Sequence, residues 1–412
     1  MVLRNICQIL MTVIGICYAY HFFYLILPHI KKPRLHRQEV LHKYAVLVAA
    51  RNEEAVLPHL LDSILMQDYP KERISIYVVA DNCTDSTAIT AARKGARVLI
   101  RENLTRVGKG YALHDLLEFI RERGELDQFD AFLVFDADNL LCPDYIRSIN
   151  RTFCDGYNVF CGYRNSKNFG SNWLTSGYSL VFLHDCVHMN RSRMILGQSA
   201  VVTGTGFGFS REVLEKAGGW NFFTLTEDTQ FTFWCASRGI QIGYCQEAML
   251  FDEQPTSFRQ SWRQRTRWIQ GSFQLAPKAG PGLLRGVFRG GWQSRSCLEF
   301  LTLSLWGYGT AAVVSAVNLG AVFWTEGLRA GLVMFLESSL GAYQSLFLIG
   351  LLTLATQWKH IRAGKTKKLL SLFTFPVFML SFVPIALAAP FQKFQWKPIT
   401  HSVAVSSGSL IE

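Results

Sequence analysis

The sequence predicts an α/β domain with a mostly parallel sheet, held between hydrophobic segments long enough to cross a bilayer. Three observations carry that expectation. From Tyr44 onward, short β-rich apolar runs alternate with helical patterns, which is the rhythm of a parallel sheet with crossover helices. Acidic and amide residues sit at the ends of those runs, where such a sheet binds its ligands. Hydrophobic residues make up 49% of the chain and charged residues only 18%, an apolar excess that one soluble domain does not need.

Taken in chain order, residues 6–27 form the first apolar stretch, long enough to span. A single Arg4 precedes it, no small-residue cleavage site follows, and Lys31, Lys32, Arg34, Arg37 and Lys43 lie just beyond, so a retained anchor is expected rather than a secretory signal. The positive-inside rule then places the next domain in the cytoplasm and the N-terminus outside. Tyr44–Ala50 and Ile74–Ala80 read as strands flanking a helix from Glu54 to Gln67, with Pro58 in its first turns. Asp85–Lys94 follows as a helix capped by its Asp, Arg97–Ile100 as a strand, Gly110–Arg123 as a helix, and Ala131–Phe135 as a strand ending at an acidic pair. Asn52, Glu53, Asp81 and Asp136 all fall at strand ends. From about Asn158 to Gln254 the pattern is less regular and rich in aromatics, with the run Gly204-Thr205-Gly206-Phe207-Gly208.

Three more apolar spans are expected at about 298–324, 331–355 and 369–390. The cluster Lys359, Arg362, Lys365, Lys367 and Lys368 between the last two is cytoplasmic in the same topology. Lys393 and Lys397 fall outside if the last span crosses, and Pro376, Pro384 and Pro390 interrupt that span. The expected division is an anchor at 1–30, a cytoplasmic domain at 31–275 that includes an interfacial segment, a basic interfacial linker at 276–296, a membrane region at 297–392 and a tail at 393–412. The location is the plasma membrane, with several passes.

Composition also excludes. The ten cysteines contain no CxxC pair, so neither a zinc site nor a disulfide framework is expected. The net charge of +11 does not point to nucleic acid: from Gln254 to Leu298 there are eight Lys/Arg and no Asp or Glu, directly before a span. Such a belt faces anionic headgroups or a polyanionic nucleotide.

Asp136-Ala137-Asp138 offers two hard oxygen ligands on one short turn, which suits Mg²⁺ or Mn²⁺ bridging a diphosphate; a solvated strand-end turn is the plain alternative. Asp81 can accept a hydrogen bond from a nucleobase imide, and Lys109, in Gly108-Lys109-Gly110, can meet phosphate from a loop at a helix start. Asp228, in Thr226-Glu227-Asp228, reads either as a residue at a helix N-terminus capped by Thr226 or as a base for an acceptor hydroxyl. In Gln264-Arg265-Thr266-Arg267-Trp268, Arg267 offers a planar fork for phosphate and Trp268 a face for a pyranose; an amphipathic interfacial helix accounts for the same residues.

Ala50-Arg51-Asn52-Glu53, Asp81-Asn82-Cys83-Thr84-Asp85, Asp136-Ala137-Asp138, Thr226-Glu227-Asp228 and Gln264-x-x-Arg267-Trp268 occur in the order and approximate spacing of family 2 glycosyltransferases. From Tyr44 through Trp268, with the flanking spans, the chain resembles the membrane-integrated members of that family, which include cellulose, hyaluronan and poly-N-acetylglucosamine synthases. The resemblance implies a GT-A fold, a hexosyltransferase-type activity with a nucleotide-diphospho-sugar donor, a divalent metal and inversion at the anomeric carbon. It implies that Ala50, Glu53 and Asp81 contact the nucleoside, Lys109 and Asp136 the diphosphate, and Asp138 the metal. Asp228 becomes the general base, Gln264, Arg267 and Trp268 cover diphosphate and acceptor, and the loop around Gly206 lies near the acceptor. One departure stands out: the usual two acidic residues and Gly after the second strand are Ala80-Asp81-Asn82 here.

The leading expectation is extension of an exopolysaccharide from a UDP-sugar. Transfer of one or a few sugars to a membrane lipid is the nearest alternative. A transporter or channel is the alternative of another class, motivated by Glu337 inside the third span. Four spans are few for a polymer path, so a second membrane subunit or a second copy of the chain is expected for export.

Overall fold

Apolar runs rich in Val, Ile, Leu and Ala, bounded by polar turns, condense among the described residues into eight strands: β1 (Tyr44–Ala50), β2 (Ile74–Asp81), β3 (Arg97–Arg101), β4 (Ala131–Asp136), β5 (Leu140–Leu141), β6 (Val159–Ser166), β7 (Phe207–Ser210) and β8 (Ile242–Asp252). The computed structural model describes residues 2–30 and 39–392, so Lys31, Lys32, Arg34, Arg37, Lys393 and Lys397 lie outside the described residues. The strands form one sheet in the order β3-β2-β1-β4-β7-β6-β8-β5. β1 to β4 pair in parallel, as their alternation with helices requires. β1 is buried on both sides: Ala45 and Leu47 pack with Leu113 and Leu116 of the helix Lys109–Glu122, while Val46 and Val48 pack with Leu57, Leu60 and Leu61 of the helix Leu57–Leu65. That is why the strand reads as a continuous apolar run.

Beyond β4 the sheet is mixed. β7 runs antiparallel to both β4 and β6, and β6 pairs in parallel with β8. Gly208 permits the insertion of β7, because a Cβ there would lie 2.3 Å from Phe160 and 2.7 Å from the Phe132 carbonyl oxygen. The expected mostly parallel sheet therefore describes the first half of the domain and not the second.

Two helices begin later than the sequence pattern suggests. The helix after β1 covers Leu57–Leu65, because the residues before it are spent on a neighbouring loop: Glu54 takes its backbone N–H to Asp85 and its carboxylate to the N–H of Ser86. The helix after β2 starts at Thr87, and Asp85 Oδ1 accepts the Thr87 N–H at 3.0 Å.

Among the described residues, three helices are long and apolar enough to cross a membrane: Arg4–Ile30, Gly307–Gln357 and Lys365–Phe391. The middle one, 51 residues, would run to roughly 75 Å, more than twice a bilayer core. It divides at Gly327, whose φ of 86° and ψ of 175° are not helical. Its two parts are the second and third expected spans. Arg4 ion-pairs with Glu326, which sets the start of the chain beside that division. The second span begins later than residue 298, because Cys297, Glu299 and Phe300 belong to a separate helix, Gly291–Thr302, and are buried. The expected boundary at 275/276 likewise falls inside the helix Phe258–Val287. Glu337 is exposed on its helix.

Candidate active site

The strand order places the carboxyl ends of β1, β2 and β4 around one crevice, where the order reverses between β1 and β4. Asn52 and Asn82, at φ 57° and 52°, are the only non-glycine residues with positive φ among the described residues. Their amides hold the crevice rim. Asn52 Oδ1 accepts the Thr84 N–H at 2.8 Å, and Asn82 Oδ1 accepts the Asn103 N–H at 2.9 Å. Ala50 is buried at the end of β1, and the Glu53 N–H donates to Thr87 Oγ1 at 2.9 Å. Asp81 is buried, and its Oδ1 accepts from Arg101 Nη1 at 2.5 Å and from Asn82 Nδ2 at 2.9 Å. Burial raises the Asp81 carboxyl above its ordinary range even with the Arg101 hydrogen bond and charge opposing it. Arg101 was not foreseen, since nothing in Arg97–Arg101 distinguishes a strand arginine that turns inward.

Gly108, Lys109 and Gly110 form a helix start that only these residues allow. Gly108 has φ 137°, and a Cβ on Gly110 would lie 2.0 Å from the Phe222 carbonyl oxygen. Lys109 Nζ is thereby aimed across the crevice, where it bonds Asp136 Oδ1 and, at 2.8 Å, the Gly204 carbonyl. The Asp136 N–H is accepted by Thr205 Oγ1 at 2.9 Å. Asp138 is buried, and its Oδ2 accepts the Glu253 N–H at 2.8 Å.

Among the described residues no group of three or more His, Cys, Asp or Glu is arranged to hold a metal. Asp136 and Asp138 nevertheless present two hard carboxylates on one turn beside a phosphate-seeking lysine. That donor set fits a small divalent cation that takes one or two carboxylates from protein and the rest of its shell from substrate phosphates and water.

Asp228 lies in the first turn of the helix Glu227–Ser237; Thr226 occupies the N-cap position without a side-chain capping bond. Gly204 faces it: a Cβ there would lie 3.6 Å from Asp228 Oδ2. Burial raises the Asp228 carboxyl, while the Thr229 N–H and the charges of Arg267, Lys109 and Arg164 oppose the rise. Glu227 is pushed up to about 7, first by burial and then by the Asp228 charge. Arg267 thus shares a field with Asp228 and Glu227, although these residues are some forty positions apart.

The other expected acceptor residues are placed differently. Gln264 Oε1 is buried without a hydrogen-bond partner among the described residues, a polar atom suited to a ligand hydroxyl. Trp268 already stacks on Phe382 at 6.5 Å between centroids and receives Tyr178 edge-on at 5.7 Å, so part of its ring is committed to the helix junction. Gly206 is buried: its carbonyl accepts from the Tyr145 hydroxyl at 2.8 Å, and a Cβ there would lie 2.2 Å from Leu250. Gly204, and not Gly206, is the loop residue that meets the crevice.

Arg164 and Asp252 were also missed. Arg164 Nε bonds Asp252 Oδ2 at 2.5 Å, Nη1 bonds the Thr203 carbonyl at 2.5 Å, and the guanidinium lies 3.7 Å from the Phe182 ring centre. Burial pushes Asp252 up to about 6 against the Arg164 charge.

A doubly flanked sheet whose first half binds at a strand-order switch, with paired carboxylates at the end of β4, has the GT-A-like architecture of nucleotide-sugar transferases. The family model described as glycosyltransferase like family 2 matches residues 42–271, and the chain belongs to that family. It is 28% identical over 255 residues to a beta-monoglucosyldiacylglycerol synthase of Nostoc, covering 59% of this chain and 52% of that protein. It is 25% identical over 256 residues to a poly-beta-1,6-N-acetyl-D-glucosamine synthase of Staphylococcus aureus, covering 60% and 58%. The chain thus matches little more than half the length of these relatives. Its fold resembles that of a mannosyltransferase from Pyrobaculum calidifontis solved in complex with GDP-Man and Mn²⁺, with a TM-score of 0.56, 16% identity, and coverage of 93% of this chain and 99% of that one.

Proposed function

We propose that the chain is an inverting glycosyltransferase, anchored in the plasma membrane with its catalytic domain cytoplasmic, that moves a sugar from a UDP-sugar to a membrane-side acceptor. The observation that carries this reading is the crevice in which Lys109 bridges Asp136 to the Gly204 carbonyl while Gly204 faces Asp228. Donor and base are thereby set on opposite sides of one glycine edge. Ala50, Glu53 and Asp81 border the nucleoside end, and Lys109 and Arg267 hold the leaving diphosphate by charge. Asp228, beside the charges of Arg267, Lys109 and Arg164 that favour its ionised form, takes the proton of the acceptor hydroxyl as that oxygen attacks the anomeric carbon. A divalent cation, Mg²⁺ or Mn²⁺, held by Asp138 with Asp136, supplies charge neutralisation of the diphosphate when bound. The mannosyltransferase with Mn²⁺ and the relatives named above support this chemistry.

Two acceptors fit. A growing exopolysaccharide is supported by the poly-N-acetylglucosamine synthase relative, and the small number of spans then argues for a second subunit or a second copy to complete an export path. A membrane lipid is supported by the glucosyldiacylglycerol synthase relative and by a groove lined by Thr229, Phe233, Leu275, Ala279, Leu283 and Leu303. It begins one residue from Asp228 and ends next to the apolar helix Gly307–Gln357.

Membranes containing the protein, incubated with a panel of labelled UDP-sugars with and without chelator, test the proposal. Chelator-sensitive labelling of a polymer or of a glycolipid is expected, and product size separates the two acceptors. No labelled product from any UDP-sugar overturns the reading, and transfer indifferent to chelation overturns its metal component.

A further inference from the structure

The strands that flank Asp228 carry a largely buried cation, Arg164, whose hydrogen bonds go neither to Asp228 nor to Lys109, Asp136 or Asp138. The Arg164 side chain keeps 14% of its exposure and its partner Asp252 only 3%. Both Nε and Nη2 of Arg164 converge on Asp252 Oδ2 at 2.5 Å, and Gln254 Nε2 donates to Asp252 Oδ1 at 2.6 Å. Asp252 is therefore held by three donors. The remaining guanidinium nitrogen, Nη1, donates to the Thr203 carbonyl at 2.5 Å, and the plane of the group lies against Phe182. Thr203 immediately precedes Gly204, whose carbonyl receives Lys109. A Cβ on Gly204 would meet both Asp228 Oδ2, at 3.6 Å, and Arg164 Nη1, at 3.9 Å.

We propose that Arg164, locked by Asp252, is a positioning residue that holds the Thr203–Gly204 backbone at the distance from Asp228 which an acceptor hydroxyl needs. This inference rests on the glycosyltransferase reading above and assigns the acceptor side of that site. The physical argument is one of geometry. Gly204 has φ 85°, a conformation that nothing in its own side chain fixes, and its N-terminal neighbour is held by a planar fork with three of its nitrogens engaged. Lysine would put a single point charge in place of the planar fork that spans Asp252 and Thr203. Because the loop also carries the Lys109 contact, its other side is already tied to the donor. Arg164 acts on the free side.

A buried ion pair replaced on both sides by apolar residues of similar size tends to leave stability little changed, whereas removal of one partner strands a charge. The test therefore uses Arg164→Met/Asp252→Leu beside Arg164→Lys, in membranes, with three readouts: UDP affinity, release of nucleoside diphosphate, and transfer to acceptor. The double variant is expected to keep UDP affinity within about twofold and to go on hydrolysing donor, while transfer falls by about 10²-fold, the cost of a misplacement near 1 Å. Arg164→Lys is expected to fold and to lose part of that factor, seen as a raised acceptor KM with an unchanged donor KM. Wild-type transfer by the double variant, or by Arg164→Lys should the double variant not fold, overturns the proposal. A parallel loss of UDP affinity also overturns it, because the pair would then serve the donor side. If the wild type itself releases no nucleoside diphosphate from any nucleotide-sugar, the glycosyltransferase reading falls and takes this inference with it; a turning-over wild type with an indifferent variant removes the inference alone.

Discussion

The first half of the catalytic domain and the junction where that domain meets its apolar helices both bury polar groups, and they do so by different means. Between Tyr44 and Asp138, the polar atoms of the site sit at strand ends and are held mostly by short side chains and backbone of neighbouring strand-end loops, 32, 21 and 2 residues away for the Asn52, Asn82 and Asp85 contacts. At the junction the partners come from far along the chain. Arg193 Nη2 pairs with Glu299 at 2.8 Å with both side chains 4% exposed, and the Tyr24 hydroxyl of the N-terminal apolar helix reaches Gln198 at 2.5 Å and Glu299 at 3.1 Å. One region is thus tuned for chemistry at a rim, the other for docking one body on another. The difference teaches that the two should fail separately: rim substitutions should change rates, and junction substitutions should change stability.

The largest effect expected is on the rate. Asp228→Asn keeps the volume and the hydrogen-bonding edge but removes the base, so turnover should fall by about 10²–10⁴-fold with UDP affinity retained. Steady-state kinetics with saturating acceptor checks this, and normal turnover would assign the base elsewhere. The complementary loss, at the junction, is expected from Arg193→Met. It leaves Glu299 buried without its cation, at a cost of about 3–5 kcal/mol to unfolding in detergent. Arg193→Met/Glu299→Leu should recover most of that loss, and failure to recover would mean that the pair does more than satisfy itself.

These two substitutions also mark what the sequence could and could not disclose. Asp228, Lys109 and the Asp136/Asp138 pair were legible because each lies at an element boundary, where an apolar pattern stops and a polar residue must face a ligand or solvent. The strands β1 to β4 were legible for the same reason, and only their helix starts shifted, at Leu57 and Thr87, where side chains from one loop serve another. Arg164, Asp252, Arg101 and Arg193 were not legible. A charged residue inside an apolar run signals that a partner exists without naming it, and here the partners lie 88, 20 and 106 residues away for Arg164–Asp252, Arg101–Asp81 and Arg193–Glu299. Cys297 and Phe300 illustrate the converse error. An apolar run was read as lipid-facing when it faces the protein, because hydropathy measures the wish to leave water and not the destination.

Glu227 sharpens the comparison, since it adjoins Asp228 outside the Tyr44–Asp138 rim, and its burial has a stability consequence. Its carboxyl is raised from an ordinary 4.5 to about 7, so the folded chain binds this proton more tightly than the unfolded chain does. The stabilisation is therefore complete below about 4.5 and is lost as pH rises through about 7. Glu227→Gln, which cannot ionise, should gain on the wild type across that window, by about 2–3 kcal/mol at pH 8. Thermal unfolding of both proteins between pH 4 and 8 measures the gap, and parallel curves would show that Glu227 is not buried with its proton.

The smallest effect expected is at Tyr24. Its single hydroxyl hydrogen is shared between Gln198 and Glu299, so Tyr24→Phe removes one donor while Arg193 continues to satisfy Glu299. A loss of about 0.5–1.5 kcal/mol in unfolding follows, the usual net range for one hydrogen bond. Transfer by the folded variant should stay within about twofold of wild type, because the Arg193–Glu299 pair still fixes the helix Gly291–Thr302 against the domain, and no Tyr24 contact touches the crevice. The magnitude matters less than the separation. Should Tyr24→Phe slow transfer while leaving unfolding unchanged, the N-terminal apolar helix would be coupled to the acceptor side of the site, and the division between a rate-setting rim and a stability-setting junction would have to be abandoned.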